Sequence, residues 1–374
     1  MNQTARPTLR LVLAAIAATV LAARPSWAHE KWFRHADPYP LRPDLFLRPL
    51  PLAFVGAVLL ATLAGALLWR ARAGRGFLPT PRDFGARPDR RSALYALIPL
   101  MLAVHVAVPL LVSGVQGRLF SPDNDLPGAW RYFLGLAETG IALALFYGAL
   151  TRLAAVGLAV LWLVGVFVLG LEPMLDNVLN LGFAGFFFWA GRGPISIDRL
   201  LFPRAEPRPD RVAWAVPALR IGLGLSLVVV AFTEKFLNLP LALGFLNKYP
   251  LNFTPALGIP LSSEVFVLCA GAVELLVGLW ILLGIFPREI VVVAWFPINL
   301  TLTIFNWVEL IGHLPIYGIL ALLLIWTQDK ENDDLWRVGL RERLLPVAPA
   351  EESDTAARNP SKTVETQKGG RRTP

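Results

Sequence analysis

The strongest constraint on this chain is a series of apolar runs, each long enough to cross a bilayer, with carboxylates among them. One run reads Ala270-Gly-Ala-Val-Glu274-Leu-Leu-Val-Gly-Leu-Trp-Ile-Leu-Leu-Gly284-Ile-Phe-Pro-Arg288. About 20 apolar residues make a membrane-spanning helix. A charge inside one costs at least about 2.5 kcal/mol, so it normally faces protein, a partner or water. Glu274 holds such a position, roughly 15 Å along a helix that begins near residue 264. A further apolar run ends in Asn306-Trp-Val-Glu309-Leu-Ile-Gly-His313. Glu309 and His313, four residues apart, share one helix face.

Composition agrees with a membrane protein. Of 374 residues, 55% are hydrophobic and only 17% charged, with a mean hydropathy of +0.55. Soluble domains carry roughly 25% charged residues. The net charge of +8 comes from arginines in loops between apolar runs. That is the positive-inside bias of a polytopic protein, and it argues against nucleic acid as a partner. The single cysteine, Cys269, excludes an internal disulfide framework and a CxxC pair. The lipid bilayer is the expected environment.

The chain begins like a secretory signal over 1–28. Arg6 and Arg10 precede a short apolar stretch, Leu11 to Ala23, and Ser26-Trp27-Ala28 offers small residues where signal peptidase reads. Cleavage after Ala28 exposes His29; an uncleaved anchor is the alternative. The segment 29–50 is polar and proline-rich, with Trp32 and Phe33 read as membrane-interface anchors. A first span covers 51–69, and the loop 70–92 is rich in arginine. Further spans are expected near 93–115, 131–149, 153–171, 175–190, 214–237, 264–286, 289–307 and 309–327. The basic loops, including 191–213, then all fall on one side, the cytoplasmic face of a bacterial inner membrane. The mature N-terminus is periplasmic on this reading. The tail 328–374 is cytoplasmic, with an amphipathic piece near Leu335 to Leu345 and then a largely disordered stretch.

Two parts of the chain repeat. Gly135-x-x-Glu138 matches Gly271-x-x-Glu274. Ten residues after each Glu stands a glycine (Gly148, Gly284), and fourteen after stands an arginine (Arg152, Arg288). Second carboxylates follow at Glu172 and Glu309, then Asp176 and His313, Gly182 and Gly318, Trp189 and Trp326. The preceding spans end in Gly117-Arg118-Leu119 and Glu234-Lys235-Phe236. Two tandem four-helix units, 93–190 and 214–327, are expected in parallel orientation. The fold class is therefore all-α: a polytopic membrane helix bundle of two such units plus one extra N-terminal transmembrane helix.

The run from Ala270 to Arg288 resembles the signature of the DoxX/DoxD-like family of four-helix membrane proteins. Thr233-Glu234-Lys235-Phe236 occupies the place of that family's Gly-x-x-Lys-Leu-like element, with Phe where Leu is usual. Arg118 stands for the Lys in the first unit. The resemblance implies an integral subunit of a periplasm-facing redox system that interacts with quinone and with a redox partner protein. Fold transfers better than function across such a likeness. Two other readings stay open: a non-catalytic scaffold or anchor for a partner complex, and a transporter of a small solute or protons.

Glu274, Glu309 and His313 are the candidate chemical groups, with Glu234, Lys235 and Asn306 as substrate-binding neighbours. A quinone headgroup could exchange protons with such a set. The competing reading pairs Glu274 with Lys235 as helix glue. The first-unit equivalents are Glu138, Glu172, Asp176 and Arg118. No covalently held cofactor is expected. An N-terminal His29 can chelate copper through its amine and imidazole, with His35 as a third nitrogen. His105, between Pro99 and Pro109, reads as a buried hydrogen-bonding residue. Isothermal titration of the processed protein with Cu(II) tests the copper reading, which ends if binding is no tighter than micromolar.

Overall fold

The computed structural model describes residues 30–33, 39–202, 209–326 and 330–341. The signal segment 1–28, His29, His35 and the tail beyond residue 341 lie outside the described residues, as does the side chain of Asn306. The described chain is helical. In order come α1 (Glu30–Phe33), α2 (Pro43–Phe46), α3 (Pro49–Ala71), α4 (Pro88–Val115) and α5 (Trp130–Tyr147). Next are α6 (Thr151–Leu169), α7 (Leu171–Asp176), α8 (Leu179–Ala190), α9 (Ile197–Leu201) and α10 (Pro209–Val212). Then follow α11 (Ala215–Val230), a π turn (Ala231–Phe236), α12 (Leu239–Lys248), a 3₁₀ turn (Thr254–Leu257), α13 (Ser263–Leu283), α14 (Pro287–Ile325) and α15 (Lys330–Arg341).

Six helices among the described residues are long and apolar enough to cross a membrane: Pro49–Ala71, Pro88–Val115, Thr151–Leu169, Ala215–Phe236, Ser263–Leu283 and Trp307–Ile325. This is a multi-pass membrane architecture. Three expected spans differ. The first is the 18-residue α5. The second, expected at 175–190, is the 12-residue α8, separated from α6 by Gly170 and the short α7. The third, 289–307, continues without a break through Trp307 and Val308, so α14 is one element of 39 residues. A straight helix of that length would reach about 58 Å. Both of its ends, however, meet one stretch of chain. Glu289 accepts hydrogen bonds from the Phe77 and Leu78 amides, and the Ile325 carbonyl accepts one from the Tyr95 hydroxyl. The element therefore bends, and Pro297 and Pro315 lie inside it. Each proline removes a backbone donor from the helical ladder.

Helix contacts show a reciprocal arrangement. α4 lies on α5, and α11 on α13. α8 lies on α11, and α14 on α4. Two matched glycines make these crossings close. A Cβ on Gly182 would stand 2.8 Å from the Ala218 carbonyl oxygen of α11. One on Gly318 would stand 3.0 Å from the Cβ of His105 on α4. Small residues at such crossings let backbones approach, which drives membrane helix association. The turns after α5 and α13 also share an unusual backbone. Gly148 and Gly284 cap those helices at φ 67° and 70°, and two residues on, Leu150 and Phe286 also adopt positive φ, 52° and 43°. A glycine takes that conformation freely, whereas Leu and Phe rarely do.

The main core runs through α4, α6, α8, α11 and α14, with Phe183, Phe186 and Phe187 buried at its centre. α3 is peripheral and leans on α13, where Gly65 faces Trp280. α15 overlaps the amphipathic piece expected near Leu335 to Leu345, up to Arg341. Its Trp336 is buried against Tyr95, Phe186 and Trp326. His105 is half-buried, and its Nδ1 lies 2.7 Å from the Met101 carbonyl oxygen of its own helix. Overfilling the close crossings gives a direct check. Gly182→Val and Gly318→Val should each cost about 1–3 kcal/mol, read as a lower Tm in detergent. A wild-type Tm in either variant contradicts the close approach.

Candidate functional site

The site is assembled around two lysines 204 positions apart in sequence, Lys31 on α1 and Lys235 in the π turn. A regular helix advances about 100° per residue, so three successive side chains cannot all face inward with ease. The π turn widens the helix at Ala231–Phe236. Thr233, Glu234 and Lys235 are all buried there, at 6%, 1% and 3% exposure. Such turns often mark functional positions in helices.

Lys235 gathers three carboxylates. Its Nζ lies 3.1 Å from Glu274 of α13, 3.7 Å from Glu234 and 3.7 Å from Glu30 of α1. The Glu30 amide donates to Glu234 Oε2 at 2.8 Å. Lys31 turns the other way. Its Nζ bonds Asp176 Oδ2 at 2.5 Å and Glu172 Oε1 at 2.9 Å. Thr233 Oγ1 donates to the second oxygen of Asp176 at 3.0 Å, and the Ser226 hydroxyl donates to the Asp176 carbonyl. Burial alone lowers the pKa of the Lys31 ammonium, but Asp176, Glu234 and Glu172 outweigh it and raise the pKa above that of an ordinary lysine.

The next two residues of α1 are aromatic. Trp32 lies 5.3 Å, ring centre to ring centre, from His313, and it fills the space a Cβ on Gly312 would need. His313 Nδ1 is 3.4 Å from Glu309 Oε1, with both side chains buried. Phe33 stacks near Phe305 at 4.5 Å, and its carbonyl accepts from Lys248 Nζ at 3.1 Å. Trp32 and Phe33, expected at the lipid interface, are therefore internal contacts. Downstream, the Arg42 amide donates to the Leu237 carbonyl at 2.6 Å, and Asn238 Nδ2 donates to the Tyr39 carbonyl at 2.8 Å.

Two spaces meet at this cluster. An open vestibule of about 650 Å³ is lined by Lys31, Arg118, Asp125, Glu172 and Asn238 among others. A smaller, part-open cavity of about 40 Å³ is lined by Asn180, Ser226, Glu234 and Pro315 among others. Trp32, Asp123 and Asp176 border both. One water needs about 10–15 Å³ on this measure, so the smaller cavity admits a few waters and no ring compound. The vestibule falls in the roughly 300–1,000 Å³ range of small-molecule sites.

The expected site residues thus fall into three places. Glu234, Lys235 and Glu274 form one ion group; Glu309 and His313 form a pair under Trp32; Glu172 and Asp176 join them through Lys31. The first-unit set does not assemble as the sequence suggested. Glu138 is fully buried elsewhere and accepts from Ser113 Oγ at 2.7 Å and from the Phe120 amide at 2.9 Å. Arg118 turns outward to Asp125 at 2.9 Å and to the Gln116 side-chain oxygen. Sequence reasoning missed Glu30, Lys31, Thr233 and Ser226. The one available signal was an adjacent Glu-Lys-Trp triplet just beyond the expected cleavage point. Among the described residues no group of three His, Cys, Asp or Glu side chains is arranged to hold a metal ion.

Comparisons with protein-family models, curated proteins and solved structures returned no match. A buried ion pair is costly to break because the remaining charge loses its partner. Lys235→Met should lower unfolding stability by about 3–5 kcal/mol, and Lys235→Met combined with Glu274→Leu should recover part of it. Denaturation in detergent measures both. A loss under about 1 kcal/mol, the range of an exposed pair, would remove Lys235 from its central place.

Proposed function

We propose that the chain is a DoxX-like membrane protein of two tandem four-helix units plus one N-terminal span, set in a bacterial inner membrane with the vestibule facing the periplasm. Three features support the duplication. The turns at Gly148 and Gly284 share their pattern of positive φ. Gly182 and Gly318 each cross the first helix of the opposite unit. The carboxylates Glu138 and Glu274 occupy matching sequence positions. The periplasmic orientation rests on the arginine-rich loops.

Within that frame the protein acts as the integral subunit of a quinone-linked redox system, with the vestibule receiving a quinone headgroup. The observation that carries this reading is the continuity of titratable groups between the two spaces. Asp176 borders both, Lys31 and Glu172 flank it on the vestibule side, and Glu234 lines the smaller cavity. Reduction of a quinone takes two electrons, here from a redox partner protein, and two protons. On this reading Asp176 passes protons at the vestibule, and the Glu309–His313 pair lies beyond Trp32, which borders the same space; proton transfer needs hydrogen-bond reach or one intervening water. Redox chemistry itself rests on the family resemblance of residues 270–288.

The scaffold reading draws on a separate observation. Glu274, the carboxylate that first suggested chemistry, is held by Lys235 at 3.1 Å, as a structural ion pair would be. We assign Glu274, Lys235, Glu234 and Glu30 to structure, and Asp176, Glu172, Glu309 and His313 to exchange. The purified protein should carry quinone in its lipid extract, and a His313→Ala, Asp176→Asn variant should retain its helical circular dichroism while losing the quinone. Wild-type protein free of quinone and recovered without a redox partner would leave the scaffold reading in possession.

A further inference from the structure

A pocket of about 250 Å³ takes no part in the ion network. It lies where the turn after α5, the start of α6, the end of α8 and the short α9 meet. Leu150, Thr151 and Arg152 form one wall, and Arg192, Arg199 and Phe202 another. Leu340 of α15 also borders it.

Its charge is positive. Arg192 is buried, with 5% exposure. It donates to the carbonyls of Leu145 at 3.0 Å, Phe146 at 2.8 Å and Ile195 at 3.1 Å. Two of those carbonyls end α5, where a cation complements the helix dipole. Carbonyl dipoles orient the guanidinium but do not cancel its charge, and no carboxylate pairs with it among the described residues. Burial lowers its pKa to about 10, which leaves it charged at neutral pH. Arg152 is exposed and makes no hydrogen bond or ion pair among the described residues. Among the described residues of the wall the one carboxylate, Asp198, accepts from the Leu150 amide at 2.5 Å and the Thr151 amide at 2.8 Å. It caps the start of α6 and is turned to the backbone.

The rim of the pocket is apolar and open. Leu150, Leu153 and Phe202 line it at 55%, 65% and 50% exposure, and Leu200 and Leu201 beside them are exposed at 82% and 63%. A soluble anion has no use for such a rim. A lipid with a phosphate on one end and hydrocarbon on the other uses both features, and basic pockets among membrane helices take anionic headgroups. We propose that this pocket binds an anionic phospholipid, with its phosphate on Arg152 over the field of Arg192 and its acyl chains along Leu150, Leu153 and Phe202.

Thermal unfolding of the full chain in neutral detergent tests this, with phosphatidylglycerol, phosphatidylcholine or inorganic phosphate added separately. A ligand that binds only the folded state raises Tm. Phosphatidylglycerol should raise it more than phosphatidylcholine, and inorganic phosphate should leave it unchanged. Arg152→Gln should abolish the difference between the lipids, while Arg152→Lys keeps it. If the glutamine variant fails to fold, Leu153→Asp on the rim replaces it and should weaken phosphatidylglycerol binding in native mass spectrometry. Equal shifts with both lipids, or a preference that survives the substitutions, overturns the proposal. An equal shift with inorganic phosphate identifies a phosphate site and overturns the lipid as its source.

Discussion

Everything around the buried cluster depends on how Lys235 is answered. In a low-dielectric interior an ammonium and a carboxylate are each expensive alone, and tolerable together only with good geometry and further hydrogen bonds. Lys235 meets carboxylates from its own turn, from α13 and from α1. Those contacts bring together elements far apart in sequence. The π turn makes this possible, since it directs Thr233, Glu234 and Lys235 inward at once. α1 then extends the arrangement. Glu30 completes the Lys235 group while Lys31 reaches Glu172 and Asp176, so one short segment ties the two sequence-matched halves.

The cluster thereby separates two kinds of buried charge. Glu274 and Lys235 sit within long apolar helices and form a close pair. Asp176, Glu172 and Lys31 border an open vestibule. The first kind specifies how helices meet; the second lines the vestibule wall. Polar residues deep in membrane proteins serve both purposes, and here adjacent side chains on one turn divide them. Thr233 serves the second group through Asp176, while Lys235 serves the first.

Hydropathy made the helices readable, because a stretch such as Ser263–Leu283 has little alternative in a bilayer. The Glu274–Lys235 pair was also within reach of the sequence, since matched motifs placed both near one another. Lys31 was not. A polar triplet with no periodicity carries no sign of where it folds back, and its partners lie more than 140 residues away. Arg118 shows a different limit. It occupies the position matching Lys235, yet the nearby loop offers Asp125, and a local partner on the surface costs less than burial beside Glu138. The expected turn at Val308 rested on span length alone. Trp307-Val308-Glu309 contains neither glycine nor proline to end a helix, and the helix continues.

The π turn also affects how sequences of this kind are aligned. A π turn holds one more residue than an α-helix needs over the same rise. The matched positions on either side of it therefore cannot keep a constant offset without a one-residue gap. Arg118 and Lys235 are 117 positions apart, while Glu138 and Glu274 are 136 apart; the loop before α13 accounts for most of that change. Removing one residue between Ala231 and Phe236 would restore a regular helix and rotate everything beyond it by about 100°. Lys235 would then leave its carboxylates although no side chain had been altered, so the register of the backbone at this turn is as much a part of the site as the residues that line it.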